Sequence, residues 1–239
     1  MSAPTQLLSA PHILSAPHIL KTIALLRQRI EERFPQSGLG RVAGELTVVG
    51  AETEKLVDDI ARPNWPVRIM VGAAIVTIGA IVISLATAFK MPSGIDGLAT
   101  ALQATESLLN ELVFVGLTLY FLAGVEDRFK RKRALASLHG LRSIAHIVDM
   151  HQLTKDPGRD NAELEDTASS PKRMLTSSEL SRYLDYCTEL LSLISKLAAL
   201  HVQQFNDPVT LGAVNEIEGL CGGLSNKIWQ KITLIQRER

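Results

Sequence analysis

The stretch Ile69–Phe89, IMVGAAIVTIGAIVISLATAF, decides the fold: about 21 residues pass without a charge. A helix of that length, rising 1.5 Å per residue, crosses about 30 Å of hydrocarbon, so the expectation is a membrane-spanning helix. A second run, Leu112–Val125, LVFVGLTLYFLAGV, has about 14 residues. It reaches a spanning length of about 18 only if its helix extends back through Glu111 and Asn110 to Leu108. The gap between the runs is too short for a domain. The two segments therefore read as a hairpin whose ends emerge on one side of a bilayer.

Charge assigns that side. Glu126 and Asp127 are followed by Arg128, Phe129, Lys130, Arg131, Lys132 and Arg133, while Arg62 and Arg68 flank the first span and the connecting loop holds only Lys90. Basic flanks stay in the cytoplasm, which predicts both termini inside and a location of the bacterial inner-membrane type. Trp65 falls where an aromatic belt residue sits. Together with Arg128, Lys130, Arg131, Lys132 and Arg133 it forms the expected membrane-surface set, with the lipid bilayer as partner. No interleaved aromatics offer stacking on bases, so nucleic acid is not expected.

Composition agrees with an all-α membrane protein. The chain has 239 residues, 25 basic and 25 acidic, with 46% hydrophobic and only 5% aromatic content. Leu, Ala, Glu, Arg and Gln dominate outside the spans, which favours helices. No basic, apolar and small-residue succession at the start marks a cleaved signal peptide, and the first span is expected to act as an uncleaved insertion signal.

The expected order is a mobile leader over 1–16, cytoplasmic helices over 17–66 and the first span over 67–89. An external loop and helix lead-in over 90–107 and the second span over 108–125 follow. A basic juxtamembrane segment and stalk cover 126–154, a polar linker 155–175 and a C-terminal helix pair 176–239. The N- and C-terminal segments together are to form a cytoplasmic helical bundle.

The leader carries a tandem repeat, Ser9–Leu14 and Ser15–Leu20, each reading SAPHIL. The second copy places Ser ahead of Ala-Pro and opens a helix to about Phe34, with a stripe of Leu20, Ile23, Leu26, Ile30 and Phe34. His12 and His18 lack acidic or thiol partners and read as incidental rather than metal-binding. Pro35 and Gly38-Leu39-Gly40 are expected to end that helix, and a second runs from about Val42 to Ile60. Without a break before Gly140, the second span is expected to continue as one helix to about Leu153.

In the first span Ala73, Thr77, Ala80, Ser84 and Thr87 recur at three- and four-residue spacing beside Gly72 and Gly79. Such a face lets backbones approach, either to Gly116 and Ala123 of the second span or to another copy of the chain, which suggests a homo-oligomer. Glu106 and Glu111 lie at the outer end of the second helix and are either solvated at the interface or ring the mouth of an oligomeric pore. On the stalk His139, Arg142, His146 and Asp149 share one face. They read as a polar network in which Asp149 accepts from His146 and Arg142. The alternative is a metal-binding sensor or enzyme using His146 and Asp149, against which Arg142 argues by its charge.

Thr176-Ser-Ser-Glu179 is a capping box. Behind it run two seams, Leu180, Leu184, Cys187, Leu191, Ile194, Ala198, His201 and Tyr183, Tyr186, Leu190, Leu193, Leu197, Leu200. A helix with two seams has neighbours on two sides. Asp207-Pro208 opens the last helix, whose apolar line is Val214, Ile217, Cys221, Leu224, Ile228 and Ile235, with Trp229 expected as a packed anchor. Cys187 and Cys221 read as buried free thiols. No nucleophile with an adjacent base, no metal set and no cofactor loop appears. The function expected is non-enzymatic: a self-associating two-span anchor displaying a bundle for assembly or for a cytoplasmic protein partner. The alternative is an oligomeric ion channel or gating protein.

Overall fold

The computed structural model describes residues 14–88, 97–155 and 175–237. Among them the chain forms seven helices and no strand: α1 Ala16–Arg33, α2 Gly38–Ala61, α3 Trp65–Ala88, α4 Gly97–Ala123, α5 Val125–Leu153, α6 Ser177–Gln204 and α7 Pro208–Arg237. Most of the leader, the loop around Lys90 and nearly all of the polar linker lie outside the described residues. Two of the helical stretches are long and apolar enough to cross a membrane, one including α3 and one including α4. Contacts divide the chain into two units: residues up to Ala61 together with those from Arg133 onward, and Arg62–Lys132.

The first unit is organised around α6. Thr176 Oγ1 accepts from the Glu179 N–H at 3.3 Å while the Glu179 carboxylate accepts from the Thr176 N–H at 2.8 Å, so the capping box fixes where α6 starts. Every residue of both predicted seams is buried, and α6 contacts α1, α2 and α7. Leu184, Leu190, Leu191, Ile194 and Leu197 are fully enclosed. Each contributes about 1.5 to 3 kcal/mol of transfer free energy, and truncating Ile194 to Ala would cost about 2 to 5 kcal/mol. Phe34 closes one end of this core, edge-on to Tyr183 at 5.4 Å and to Tyr186 at 6.2 Å between ring centroids. Asp207 opens α7 by accepting at Oδ2 from the N–H and hydroxyl of Thr210, both at 2.9 Å.

Several sequence expectations are corrected here. In α1 the buried position is Ile19, with Leu20 only partly covered, because the core faces the line 19, 23, 26, 30. Gly38-Leu39-Gly40 does not break the chain but forms the first turn of α2. The break falls on Phe34–Ser37, where Gln36 takes a left-handed φ of 57° and Ser37 Oγ accepts from the Gly40 N–H at 3.1 Å. A Cβ at Gly38 in that turn would meet the His151 ring, so a larger residue there requires the ring to shift. The second span and the stalk follow one helical path, Thr105–Leu153, marked by a single irregular residue. Gly124 separates α4 from α5, although the Gly124 N–H to Tyr120 O and Arg128 N–H to Gly124 O bonds carry the i−4 pattern across it. Trp229 is 60% exposed, since it sits one residue, or about 100°, around the helix from buried Ile228.

In the second unit α3 contacts α4. Partly covered residues on α3 are Val67, Val71, Ala74, Ile78, Gly79 and Val82, and those on α4 are Val115, Leu119 and Leu122. The most covered line on each helix is mainly aliphatic, while Ala73, Thr77, Ala80 and Ser84 are exposed.

Candidate functional site

The densest polar geometry beside the apolar helices centres on Glu126, in the first turn of α5. Its Oε2 accepts from Arg68 Nε at 2.7 Å, and its Oε1 accepts from the Asn64 N–H at 3.0 Å and lies 3.0 Å from Lys130 Nζ. Local sequence explains each part. Asn64 stands just before the first turn of α3, so its N–H has no partner in that helix, and a helix N-terminus favours a negative group. Lys130 stands one turn after Glu126 and Arg68 one turn after Asn64. The Arg68 guanidinium, then the Asn64 N–H and Lys130, hold the Glu126 carboxyl at about 2, well below its ordinary 4.5. A carboxylate so fully bonded is a clasp between the beginnings of α3 and α5, not a base waiting for a proton.

The residues expected at a membrane surface differ in their surroundings. Trp65 is 64% exposed. The Arg128 guanidinium lies over the Phe121 ring, 5.0 Å from its centroid. Lys132 is exposed and Arg131 half-buried. Lys130 is taken up by Glu126, and Arg133 donates to Asp59 at 3.1 Å.

The small-residue face is open. A Cβ added at Gly72, Gly79 or Gly116 would meet nothing within 4 Å. Ala73, Thr77, Ala80 and Ser84 are exposed, and Gly79 is partly covered. Glu106 and Glu111 are exposed on α4 and form no ion pair among the described residues.

The stalk network predicted from the shared face of α5 does not form. Arg142 donates to Glu216 of α7 at 3.1 Å, and Asp149 accepts from Gln152 at 2.6 Å. His139 and His146 are exposed. The core-facing line of α5 is Leu138, Leu141, Ala145, Val148 and Gln152, so the polar stripe flanks the buried edge one position away. Among the described residues no group of three or more His, Cys, Asp or Glu could hold a metal ion. The buried thiols also stay protonated near neutrality, since burial pushes Cys187 up to about 12 and Cys221 up to about 11.

Sequence reasoning missed three features besides the clasp: a helix cap, a close packing contact and the bonding of His201. Lys231 of α7 donates to the carbonyls of Gln152 and Lys155 at 3.0 and 3.1 Å and so caps the end of α5. His151 packs over Gly38. His201 is buried with Nδ1 against the carbonyls of Ala198 and Leu197 and with Nε2 lacking a partner. A basic residue facing a helix end was the available signal for the first, but its partner is 79 residues away in sequence.

Compared with protein-family models, with curated proteins and with solved structures, the chain shows no match.

Proposed function

We propose that this chain is a non-enzymatic, two-span integral membrane protein: a hairpin of α3 and α4 that anchors a cytoplasmic helical bundle, self-associates, and presents that bundle for assembly or partner recruitment. The observation that carries the reading is the outward display of large apolar side chains on the two long helices. Ile69, Val76 and Ile83 of α3 are 66%, 71% and 65% exposed, and Val113, Phe114 and Tyr120 of α4 are 69%, 72% and 73% exposed. In water each such aliphatic or aromatic group forgoes about 1.5 to 3 kcal/mol of burial; in hydrocarbon it forgoes nothing. Backbone and hydroxyl groups fit the same solvent. The hydroxyls of Thr77, Thr87 and Thr118 donate to their own helices at Ala73 O, Ser84 O and Phe114 O, so these three hydroxyl protons are matched within the helix.

Basic residues at the ends of the hairpin favour cytoplasmic termini. The test is accessibility in intact cells: Ser93→Cys should react with an impermeant thiol reagent, and Ser2→Cys and Arg239→Cys should not. Cys187 and Cys221 provide a quiet background because both are buried. Labelling at either terminus would overturn the orientation. For self-association, the open face of Gly72, Ala73, Thr77, Gly79, Ala80 and Ser84 is the proposed contact between copies. Ala80→Leu should reduce the oligomer measured in detergent or in native membranes. An unchanged oligomer in an inserted protein would assign assembly to the bundle instead.

A further inference from the structure

The basic residues beside α3 and α4 divide into two sets that the sequence presents as one. Arg68 and Lys130 are bonded to Glu126, and Arg133 is bonded to Asp59. Arg62, Arg128 and Lys132 are exposed and form no ion pair among the described residues. Arg128 and Lys132 stand four apart on α5 and so share a face. The Arg128 guanidinium folds back along the chain against Gly124 and Phe121, which directs its N–H donors toward the end of α4. Around these cations lie exposed rings, with Trp65, Tyr120 and Phe129 at 64%, 73% and 54%. The clasp at Glu126 brings the start of α3 and the start of α5 together, so the rings and the free cations belong to one end of the hairpin.

We infer that Arg62, Arg128 and Lys132, and not Lys130 or Arg133, form a binding surface for the phosphates of anionic bilayer lipids at this end of the hairpin. The inference rests on the membrane reading above. Charge complementarity and continuity with the apolar helices select the occupant. A guanidinium offers paired donors to a phosphate, an ammonium one turn away offers a second, and the rings beside them suit the glycerol depth of a leaflet. A nucleic acid would meet the same cations, but it would leave the apolar surface of α3 and α4 without a partner. Lys130 and Arg133 contribute little because their charges are already matched within the protein.

The test uses the full chain carrying Trp229→Phe, so that Trp65 is the one tryptophan, reconstituted into phosphatidylcholine vesicles with phosphatidylglycerol added. Quenching of Trp65 by brominated forms of each lipid gives the preference for the anionic one. The expected result is a preference that falls about fivefold for each of Arg128→Gln and Lys132→Gln at low salt. It should collapse in 1 M salt, where screening acts over about 3 Å. Arg133→Gln and Lys130→Gln should leave it unchanged. Equal losses in all four variants would overturn the inference in favour of a diffuse charge effect, and so would a wild-type protein without preference. Binding of duplex DNA by the solubilised protein, lost in Arg128→Gln/Lys132→Gln while lipid preference is absent, would assign the surface to nucleic acid. If neutral brominated phosphatidylcholine fails to quench Trp65 at all, the membrane reading fails as well.

Discussion

Replacing Glu126 by Gln keeps the shape of the side chain and removes its charge. The carboxylate takes bonds from Arg68, from the Asn64 N–H and from Lys130 at 2.7, 3.0 and 3.0 Å. An amide keeps one acceptor and turns the other atom into a donor facing a cation. The depression of the carboxyl from 4.5 to about 2 would alone correspond to about 3 kcal/mol. Arg68 is 54% exposed, so solvent screening reduces the expected loss to about 1 to 2 kcal/mol. Hydrogen exchange at Asn64 reads the clasp directly, because that N–H is one of the donors. Glu126→Gln should lower its protection by about tenfold, for a loss near 1.4 kcal/mol. Because the folded-state pKa is depressed, the stabilisation is complete above about 4.5 and is lost as pH falls from there toward 2. Protection in the wild type, corrected for intrinsic exchange, should therefore decline over that window, while the Gln variant stays flat. Unchanged protection in Glu126→Gln, or a wild type indifferent to pH between 4.5 and 2, would refute the clasp.

Three further outcomes concern the bundle. Gly38→Ala should destabilise it by about 1 kcal/mol, because the new methyl meets the His151 ring, and Gly38→Ala/His151→Ala should recover the loss; denaturant midpoints of the two variants decide it. Lys231→Met should cost about 1 to 2 kcal/mol by uncapping α5, seen as faster exchange near Gln152 and Lys155. Burial holds the His201 pKa below its ordinary 6.5, against the raising effect of the Ala198 and Leu197 carbonyls. The unfolded chain therefore binds a proton that the folded one resists, and stability should fall as pH drops below 6.5. His151 is shifted in the same direction, chiefly by burial. His201→Leu should be close to neutral at pH 7, since it removes an atom without a partner, and should flatten the thermal-stability profile between pH 7 and 5. A profile as steep as that of the wild type would show that His201 is not the group responsible.

What could be read from the chain and what could not differ by the reach of the interactions involved. The seams of α6, its capping box and the two apolar lengths depend on spacing within one helix or on a run of one composition, and all of these are local properties of sequence. The Glu126 clasp is not local: its donors at Asn64 and Arg68 lie 62 and 58 residues away. Nothing in the run from Glu126 to Arg133 distinguishes its first carboxylate from an ordinary solvated one. The stalk stripe shows the converse error. Arg142, His146 and Asp149 do share a face, but half-exposed side chains are free to choose partners off that face. Arg142 reaches across to Glu216, while Asp149 takes the nearer Gln152. Same-face spacing limits which groups can meet; burial decides which must. The basic cluster joins the two cases, because its total charge follows from composition, whereas its division into matched and free cations depends on Asp59 and Glu126 being positioned by the fold. In the proposed lipid-binding surface, that division is what would separate Lys132 from Arg133, adjacent in sequence and alike in charge.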